Sequence, residues 1–215
     1  MSRLRLSLGA LCLALVLAGC AGTIKSAATP TGWQKLIREP DRKRLARLYS
    51  AWTRSLAEAK AGGMADRLAS LGPLVLPDGS VEGNYPAPGA YSCRTIKLGH
   101  RANGKGPLAA RNAPPLMLLE PVPCNIGVDE DAGVLTFTQA PGKQWLGGRL
   151  FPDEKRLVFL GSLALAGETG VRRYGADPDR DQVGVLRPMG ENRWRLELPW
   201  PNWQSNLEVI EITPA

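Results

Sequence analysis

The chain has 215 residues, of which 44% are hydrophobic and 22% charged, enough to build the core of one folded domain. Its 24 glycines and 18 prolines favour many turns and a mainly β fold, because this hydrophobic content argues against disorder. The formal charge of +7 is modest and does not indicate a nucleic-acid-binding protein.

The first residues have the features of an export signal. Two arginines precede an apolar run, Leu6 to Leu17, which is shorter than the roughly 20 residues that span a bilayer and fits a signal peptide. The run ends in Leu-Ala-Gly-Cys, which resembles the lipobox of bacterial lipoproteins. We therefore expect residues 1–19 to be a signal peptide and Cys20 to carry the lipid; an ordinary secretory signal is the alternative.

The residues after Cys20 bear on localisation. Ala21 in place of Asp favours outer-membrane sorting, by resemblance to Gram-negative lipoproteins. Residues 20–32 are small and polar and predict a short tether. We expect a lipid-anchored protein of the bacterial envelope, facing the periplasm.

The four cysteines divide by position. Cys12 would leave with the signal and Cys20 would be lipidated, which leaves Cys93 and Cys124. In an oxidising compartment this pair predicts a disulfide. A metal or redox pair is the alternative, but CxxC spacing and nearby histidines are missing.

The remaining chain, 33–215, predicts one globular domain that is helical over 33–71 and β-rich over 74–215. Pro40 and Asp41 suit a first helical turn, and Gly62-Gly63 suits a helix end. Between them apolar residues recur every three or four positions, the pattern of a helix packed on a core. The stripe consists of Leu45, Leu48, Tyr49, Trp52, Leu56 and Ala59.

About eight short strands follow, separated by turn residues. They are predicted at Ala90–Leu98, Leu116–Val128, Gly133–Thr138, Trp145–Phe151, Arg156–Leu165, Gln182–Arg187, Arg193–Leu198 and Leu207–Thr213. The fold class is mainly β (α+β): an antiparallel barrel-like or sandwich sheet, with an N-terminal amphipathic helix that covers an open edge or end.

Several segments together resemble a family of small bacterial envelope proteins, the domain of unknown function DUF4893. They are the helical segment with Trp33, Asp41, Arg42, Leu45 and Trp52, then Pro88–Gly99, Leu157–Gly161, Tyr174-Gly175 with Arg180–Gly184, and Arg193–Pro201. The approach to Cys124, Val122-Pro123, departs from the family pattern. The resemblance implies export but no known activity.

Candidate catalytic and metal-binding groups are few. His100 follows a strand and enters a loop, a poor platform for a triad, and we expect it to be exposed. Asp177, Asp179 and Asp181 resemble the start of a calcium loop, but the EF-hand pattern then fails. We expect a turn with Arg–Asp pairing there, with weak calcium binding as the alternative. No cofactor is expected.

Four carboxylates are candidates for hydrolase chemistry: Glu168, Asp179, Asp181 and Glu197. Among the C-terminal tryptophans, Trp194 is predicted to lie in the core. Trp200 and Trp203 lie in a proline-rich bend and are either core residues or the lining of a ligand pocket.

Six basic residues lie next to the predicted tether: Lys35, Arg38, Arg42, Lys43, Arg44 and Arg47. This segment predicts contact with anionic lipid or lipopolysaccharide; a solvated helix face is the alternative. The leading function is a non-enzymatic binding or structural module, with an envelope protein as a further possible partner. The alternatives are a barrel that binds a small amphiphile or glycan, and a carboxylate-based hydrolase.

Overall fold

In a computed structural model of the protein, residues 32–100 and 114–215 are described. The predicted signal peptide, Cys20 and nearly all of the tether lie outside these residues. The helices are α1 (Gly32–Leu36), α2 (Glu39–Ala46), α3 (Leu48–Ala61) and α4 (Ala65–Leu71), followed by a 3-10 turn at Gly72–Val75. The strands are β1 (Gly89–Leu98), β2 (Leu116–Leu118), β3 (Val122–Asp129), β4 (Val134–Gln139), β5 (Gln144–Asp153), β6 (Arg156–Leu165), β7 (Asp181–Gly190), β8 (Arg193–Pro199) and β9 (Leu207–Pro214).

The strands form a closed antiparallel barrel, which confirms the mainly β prediction and the first of its two alternatives, a barrel-like sheet or a sandwich. Consecutive strands from β3 to β9 pair with one another, and β1 closes the ring by pairing with β3 and β9. The short β2 pairs with the same edge of β1 as β3 does, and residues 119–121 separate β2 from β3. Leu116–Val128, predicted as one strand, is therefore two strands that share an edge.

Alternate side chains point into the barrel, as expected for strands with a period of two. The interior is packed with apolar side chains, including Phe137, Phe159 and Leu196, and Trp194 lies there as predicted. The Cys93–Cys124 disulfide is formed within this core and links β1 to β3, with a Cα–Cα distance of 5.9 Å. The disulfide prediction is thus confirmed.

The helices pack on the outer wall of the barrel and not on an end. Trp52 and Ala59 of α3 contact the outward-facing residues of β1 and β9, such as Ile96 and Val209. Trp33 of α1, Leu45 of α2 and Ile37 between the two helices cover β5, β6 and β7. These strands are apolar on both faces because one face fills the barrel and the other packs under helices.

The predicted helix is broken near its middle. Arg47 leaves helical geometry (φ −100°, ψ 21°) and separates α2 from α3. Pro40 and Asp41 lie in the first turn of α2, and α3 ends at Gly62, as predicted. Tyr49, which the apolar stripe placed in the core, is 69% exposed because the break turns it outward.

The two ends of the barrel differ. One end has connections at 130–133, 154–155 and 191–192, and the segment before β1 covers it: Asn84 accepts a hydrogen bond from Trp194, and Tyr85 donates to Glu154. The other end carries connections at 140–143, 166–180 and 200–206. We call this second end the mouth.

Candidate functional site

A cleft of about 440 Å³ separates the helices from the barrel wall. We call it the helix–barrel cleft. One side consists of α1, α2 and α3, and the other of β6, β7 and β8 with Pro77. Its lining combines aromatic and aliphatic side chains with three arginines and one carboxylate: Trp33, Arg42, Leu45, Ala46, Leu48, Tyr49, Trp52, Pro77, Arg156, Arg187 and Glu197.

The cleft contains one buried carboxylate, Glu197, which is 1% exposed. Its Oε1 accepts hydrogen bonds from Arg195 at 2.8 and 3.0 Å, and Arg187 Nε lies 3.4 Å away. Its Oε2 accepts a 2.9 Å hydrogen bond from the Trp52 indole. Two guanidinium groups therefore share one carboxylate, and the more exposed one, Arg187, faces the cleft with an excess positive charge.

The other two arginines of the cleft lie nearer its rim. Arg156 Nε is 2.8 Å from Asp153, and Arg42 Nε is 3.6 Å from Glu39. Both pairs are partly open to water, so each contributes little to stability. Arg42 Nη2 also donates to the Gln34 carbonyl at 2.9 Å, which leaves Nη1 of Arg42 and both Nη groups of Arg156 to contact an anion. The cleft thus places cationic donors beside Trp33 and Tyr49.

The cleft borders an exposed positive surface on the helices. Lys35, Arg42, Lys43 and Arg47 are exposed, and we call these four residues the basic face. Leu36 and Tyr49 are also exposed, at 50% and 69%. A surface with cations, an aliphatic side chain and a tyrosine has the composition of membrane-interface segments.

Two of the six predicted surface cations behave differently. Arg44 is only 7% exposed and lies 2.7 Å from Asp41, so its assignment to a membrane contact was wrong. Its side chain also donates to the carbonyl of Asp181, the first residue of β7, and to that of Trp200 in the 200–206 connection. Arg38 is partly exposed and pairs with Asp181 at 3.4 Å.

Asp41 and Tyr174 join α2 to the long connection between β6 and β7. The Tyr174 hydroxyl donates to Asp41 at 2.5 Å and accepts a 3.0 Å hydrogen bond from the Arg38 amide. Burial, followed by the hydrogen bond to Asp41, raises the pKa of Tyr174. Burial also raises the pKa of Asp181, although hydrogen bonding to the Gly175 amide acts in the opposite direction. This cluster is part of the helix–barrel contact.

The three aspartates considered for calcium do not converge. Asp177 faces Arg172 and Arg180, at 3.2 and 3.6 Å, whereas Asp181 is fully buried and faces Arg38 and Gly175. Asp177 also accepts a hydrogen bond from the Asp179 amide. Across the described residues no group of three His, Cys, Asp or Glu side chains is arranged to hold a metal ion.

The carboxylates considered for hydrolase chemistry also lie apart. Only Glu197 lines the helix–barrel cleft, and its oxygens already bind Arg195 and Trp52. Glu168 accepts hydrogen bonds from the Leu165 amide and from Arg180, and these bonds, the first most strongly, lower the pKa of Glu168. A general acid needs a raised pKa. In the described residues, these four predicted carboxylates therefore do not pair in either cavity.

Trp200 and Trp203 have different surroundings. Trp200 donates to the Arg47 carbonyl at 3.1 Å, and the guanidinium groups of Arg47 and Arg54 lie 5.5 and 5.8 Å from the centre of its ring. It therefore fastens the 200–206 connection to α3. Trp203 lines a small cavity in the barrel mouth. Of the two tryptophans predicted as a possible pocket lining, only Trp203 lies beside either cavity of the described residues.

His100 follows β1, as predicted, and its side chain is 44% exposed. Its backbone amide donates to Glu58 of α3 at 3.0 Å. Of the helices in the described ranges, none has the length and apolar character needed to cross a bilayer.

Sequence reasoning named Arg42 but missed the other two arginines of the cleft, Arg156 and Arg187. Arg193, Arg195 and Glu197 alternate with apolar residues along β8, which is typical of a solvated face. Here the outward face lies under helices, and Arg195 is fully buried. Arg156 and Arg187 come from other strands, and no local spacing connects them to Trp33.

Comparison with known proteins identifies the domain but not its activity. No curated protein and no solved structure matches the chain. The family model described as a domain of unknown function, DUF4893, matches residues 33–212. This match covers both the helices and the barrel. The chain therefore belongs to the DUF4893 family.

Proposed function

We propose that the protein is a non-enzymatic binding module of the bacterial envelope, which binds the phosphate group of an anionic lipid or lipopolysaccharide in its helix–barrel cleft. In this proposal lipidated Cys20 tethers it to the periplasmic face of the outer membrane. The observation that carries the proposal is the combination of Arg42, Arg156 and Arg187 with aromatic walls in one cleft.

The chemistry of the cleft suits a phosphate attached to an apolar group. Guanidinium groups donate two parallel hydrogen bonds to phosphate oxygens, and Arg187 has a partly exposed side chain and shares its carboxylate with Arg195. Trp33, Leu48 and Tyr49 offer apolar contact for the adjoining part of the ligand. A volume of about 440 Å³ lies within the usual range for ligand pockets.

The position of the cleft also supports a membrane-derived ligand. Helix α1 begins at Gly32, the last residue of the predicted tether, so Trp33 of the cleft and Lys35 of the basic face lie close along the chain to the proposed anchor. Each exposed Lys or Arg near an anionic surface contributes about 1 kcal/mol. Glu39 pairs with Arg42 and Lys43 and offsets part of this attraction.

The barrel interior does not favour the alternative of an amphiphile enclosed in the barrel. Phe137, Phe159, Leu150 and Leu196 fill its middle and are fully buried. An acyl chain would have to displace these side chains. The space outside the barrel is therefore the better candidate for an amphiphile.

Binding of short-chain phosphatidic acid, below its micellar concentration, tests the proposal. Calorimetry should show binding to the chain with Cys20→Ser, and Arg187→Ala should weaken it at least tenfold, because a hydrogen bond to a charged group contributes about 1.5–3 kcal/mol. Short-chain phosphatidylcholine should bind weakly. The matched control is Arg67→Ala, an exposed arginine on α4.

The basic face is tested separately with vesicles. Lys35→Glu with Lys43→Glu should reduce binding to phosphatidylglycerol vesicles, and added salt should reduce wild-type binding. Arg67→Glu with Lys143→Glu makes the same change in charge elsewhere on the surface. Equal binding by both double variants would exclude a specific role of this face. In the calorimetric experiment, unchanged affinity of Arg187→Ala for phosphatidic acid would exclude the cleft as the phosphate-binding site.

A further inference from the structure

The mouth of the barrel contains a second, smaller cavity of about 120 Å³. Inward-facing residues of the strands form its floor and walls, and the connection before β9 contributes Trp203. Polar and charged side chains line it together with apolar ones, in contrast to the apolar centre of the barrel. The residues central to the argument are Thr95, Lys97, Gln139, Gln144, Gln182, Trp203 and Glu208.

Gln182 is the most informative of these residues. It is 4% exposed and lies on β7 with the same inward orientation as Leu186, which is part of the barrel core. Among the described residues its side-chain amide makes no hydrogen bond, although it lines the cavity. Buried side-chain amides are normally hydrogen-bonded, so the Gln182 amide, which faces the cavity, is available to bind a molecule there.

The buried charges at the mouth balance each other. Lys97 is 7% exposed, and its ammonium group donates to Gln204 at 2.7 Å and to Gln144 at 3.4 Å, with Glu208 at 3.3 Å. One buried cation therefore faces one largely buried carboxylate, and the other carboxylate of the lining, Glu120, is exposed to water. Inside the cavity a charged ligand would find no unpaired buried counter-charge, and a neutral ligand avoids the cost of burying a charge without one.

The remaining polar groups are held in fixed positions. Gln139 donates to Thr95 at 3.3 Å and accepts a hydrogen bond from the Leu146 amide at 3.1 Å. The Trp203 indole donates to the Asp179 carbonyl at 3.0 Å, which anchors the tryptophan to the neighbouring connection. Donors, acceptors and an aromatic side chain thus line one small space.

We infer that the mouth binds a neutral, hydroxyl-rich ligand, such as the terminal sugar of a glycan. A hydroxyl group both donates and accepts hydrogen bonds, so it can accept one from the Gln182 amide and donate one to the Glu208 carboxylate. The C–H face of a sugar ring can pack on Trp203 and on Leu163 and Leu198 in the floor. The volume is below the 300 Å³ or more of drug-sized pockets, so only a small ligand or chain end fits.

This inference is independent of the phosphate-binding cleft, because the two cavities share no residues. The test uses the full chain in phosphatidylcholine nanodiscs and saturation-transfer difference NMR. Methyl glucoside and N-acetylglucosamine are the neutral probes, and glucuronate and glucosamine are the charged probes. The neutral sugars should bind with millimolar affinity and the charged ones more weakly.

Gln182→Leu should weaken binding of the neutral sugars about fivefold or more, the effect of losing one uncharged hydrogen bond. Asn125→Leu makes the same amide-to-Leu change at an exposed position on β3 and should bind like the wild type. Thermal unfolding establishes that both variants are folded.

Wild-type affinity in Gln182→Leu would overturn the inference, as would stronger binding of the charged probes or no binding of the neutral ones. If Gln182→Leu does not fold, Trp203→Ala provides the second test. This variant changes a residue at the rim and should also lose affinity for the neutral sugars. Unchanged binding in Trp203→Ala would then overturn the inference.

Discussion

Arg195 and Glu197 point to the same side of β8, and both are buried beneath helical segments, with Arg195 Nη2 2.8 Å from Glu197 Oε1. The guanidinium also donates to the carbonyls of residues 73, 74 and 76 and lies 4.8 Å from the centre of the Trp52 ring. Trp52 donates to the other oxygen of Glu197. One ion pair therefore fastens α3 and the segment after α4 to the barrel.

Arg195→Met should lower the free energy of unfolding by about 3–5 kcal/mol, because it leaves Glu197 buried with only the more distant Arg187 as a cationic partner. Urea denaturation followed by circular dichroism measures the change. Lys155→Met breaks an ion pair with Glu82 in which both side chains are exposed, and should cost less than about 1 kcal/mol. Similar losses in the two variants would contradict a structural role for the buried pair.

Asp181→Asn should remove part of the pH dependence of stability. Burial raises the pKa of Asp181 above 3.8, so the folded protein holds this proton more tightly than the unfolded chain does. Its contribution to stability is fully present below pH 3.8 and is lost as the pH rises through the folded pKa. The free energy of unfolding, measured by urea titration from pH 3 to 8, should therefore fall less with rising pH in Asp181→Asn than in the wild type.

Glu168→Gln is the control with the opposite sign. Its hydrogen bonds to Leu165 and Arg180 lower the pKa of Glu168 below 4.5, so its contribution is present above that pH and is lost as the pH falls through the folded pKa. Replacement by Gln should reduce acid destabilisation. If both variants changed the pH profile in the same direction, the assignment for Asp181 would be wrong.

Reduction of the Cys93–Cys124 disulfide should lower the free energy of unfolding by about 3–4 kcal/mol, since the bond closes a loop with a sequence separation of 31. The double variant Cys93→Ala with Cys124→Ala should show a similar loss without reductant and no further loss with it. Guanidinium denaturation with and without dithiothreitol measures both effects. A reductant effect in the double variant would show that another bond is responsible.

Gly161→Ala should destabilise the protein by about 1–3 kcal/mol through overpacking. A methyl group at Gly161 would overlap the Phe159 ring and the Gly147 carbonyl, at the point where Gly161 pairs with Gly148 across two strands. Gly170→Ala is the matched control, because its methyl group would meet nothing within 4 Å. Melting temperatures compare the two, and equal values would show that the barrel relaxes around the added methyl.

The sequence allowed the strands, the disulfide and the helix end at Gly62 to be predicted because each has a local signal. Alternation of polar and apolar residues, as along β8, and turn residues between the strands predict the strands. The two cysteines left after the signal peptide and the lipidation site predict the disulfide. The position of the helices on the barrel was harder to predict. The sequence feature that indicated it was the run Leu157–Leu160 on β6. This run is apolar on both faces because one face fills the barrel and helices cover the outward face.

The candidate sites depended on contacts that sequence spacing does not encode. Arg42 and Arg44 look equivalent in the sequence, yet α2 exposes the first and buries the second against Asp41. Arg156 and Arg187 reach one cleft only because β6 and β7 pair in register. Likewise Gln182 is polar but faces into the barrel. Closure of the barrel brings it into one cavity with Lys97 of β1 and Glu208 of β9.

The unequal ends of the barrel bear on how related proteins can diverge. Two-residue connections at 154–155 and 191–192 tolerate little change, because strand pairing depends on their geometry. The connections at 166–180 and 200–206 can lengthen or change sequence while the strand ladder stays intact. Homologues should therefore concentrate insertions around the mouth, and new specificities can arise there without a new scaffold.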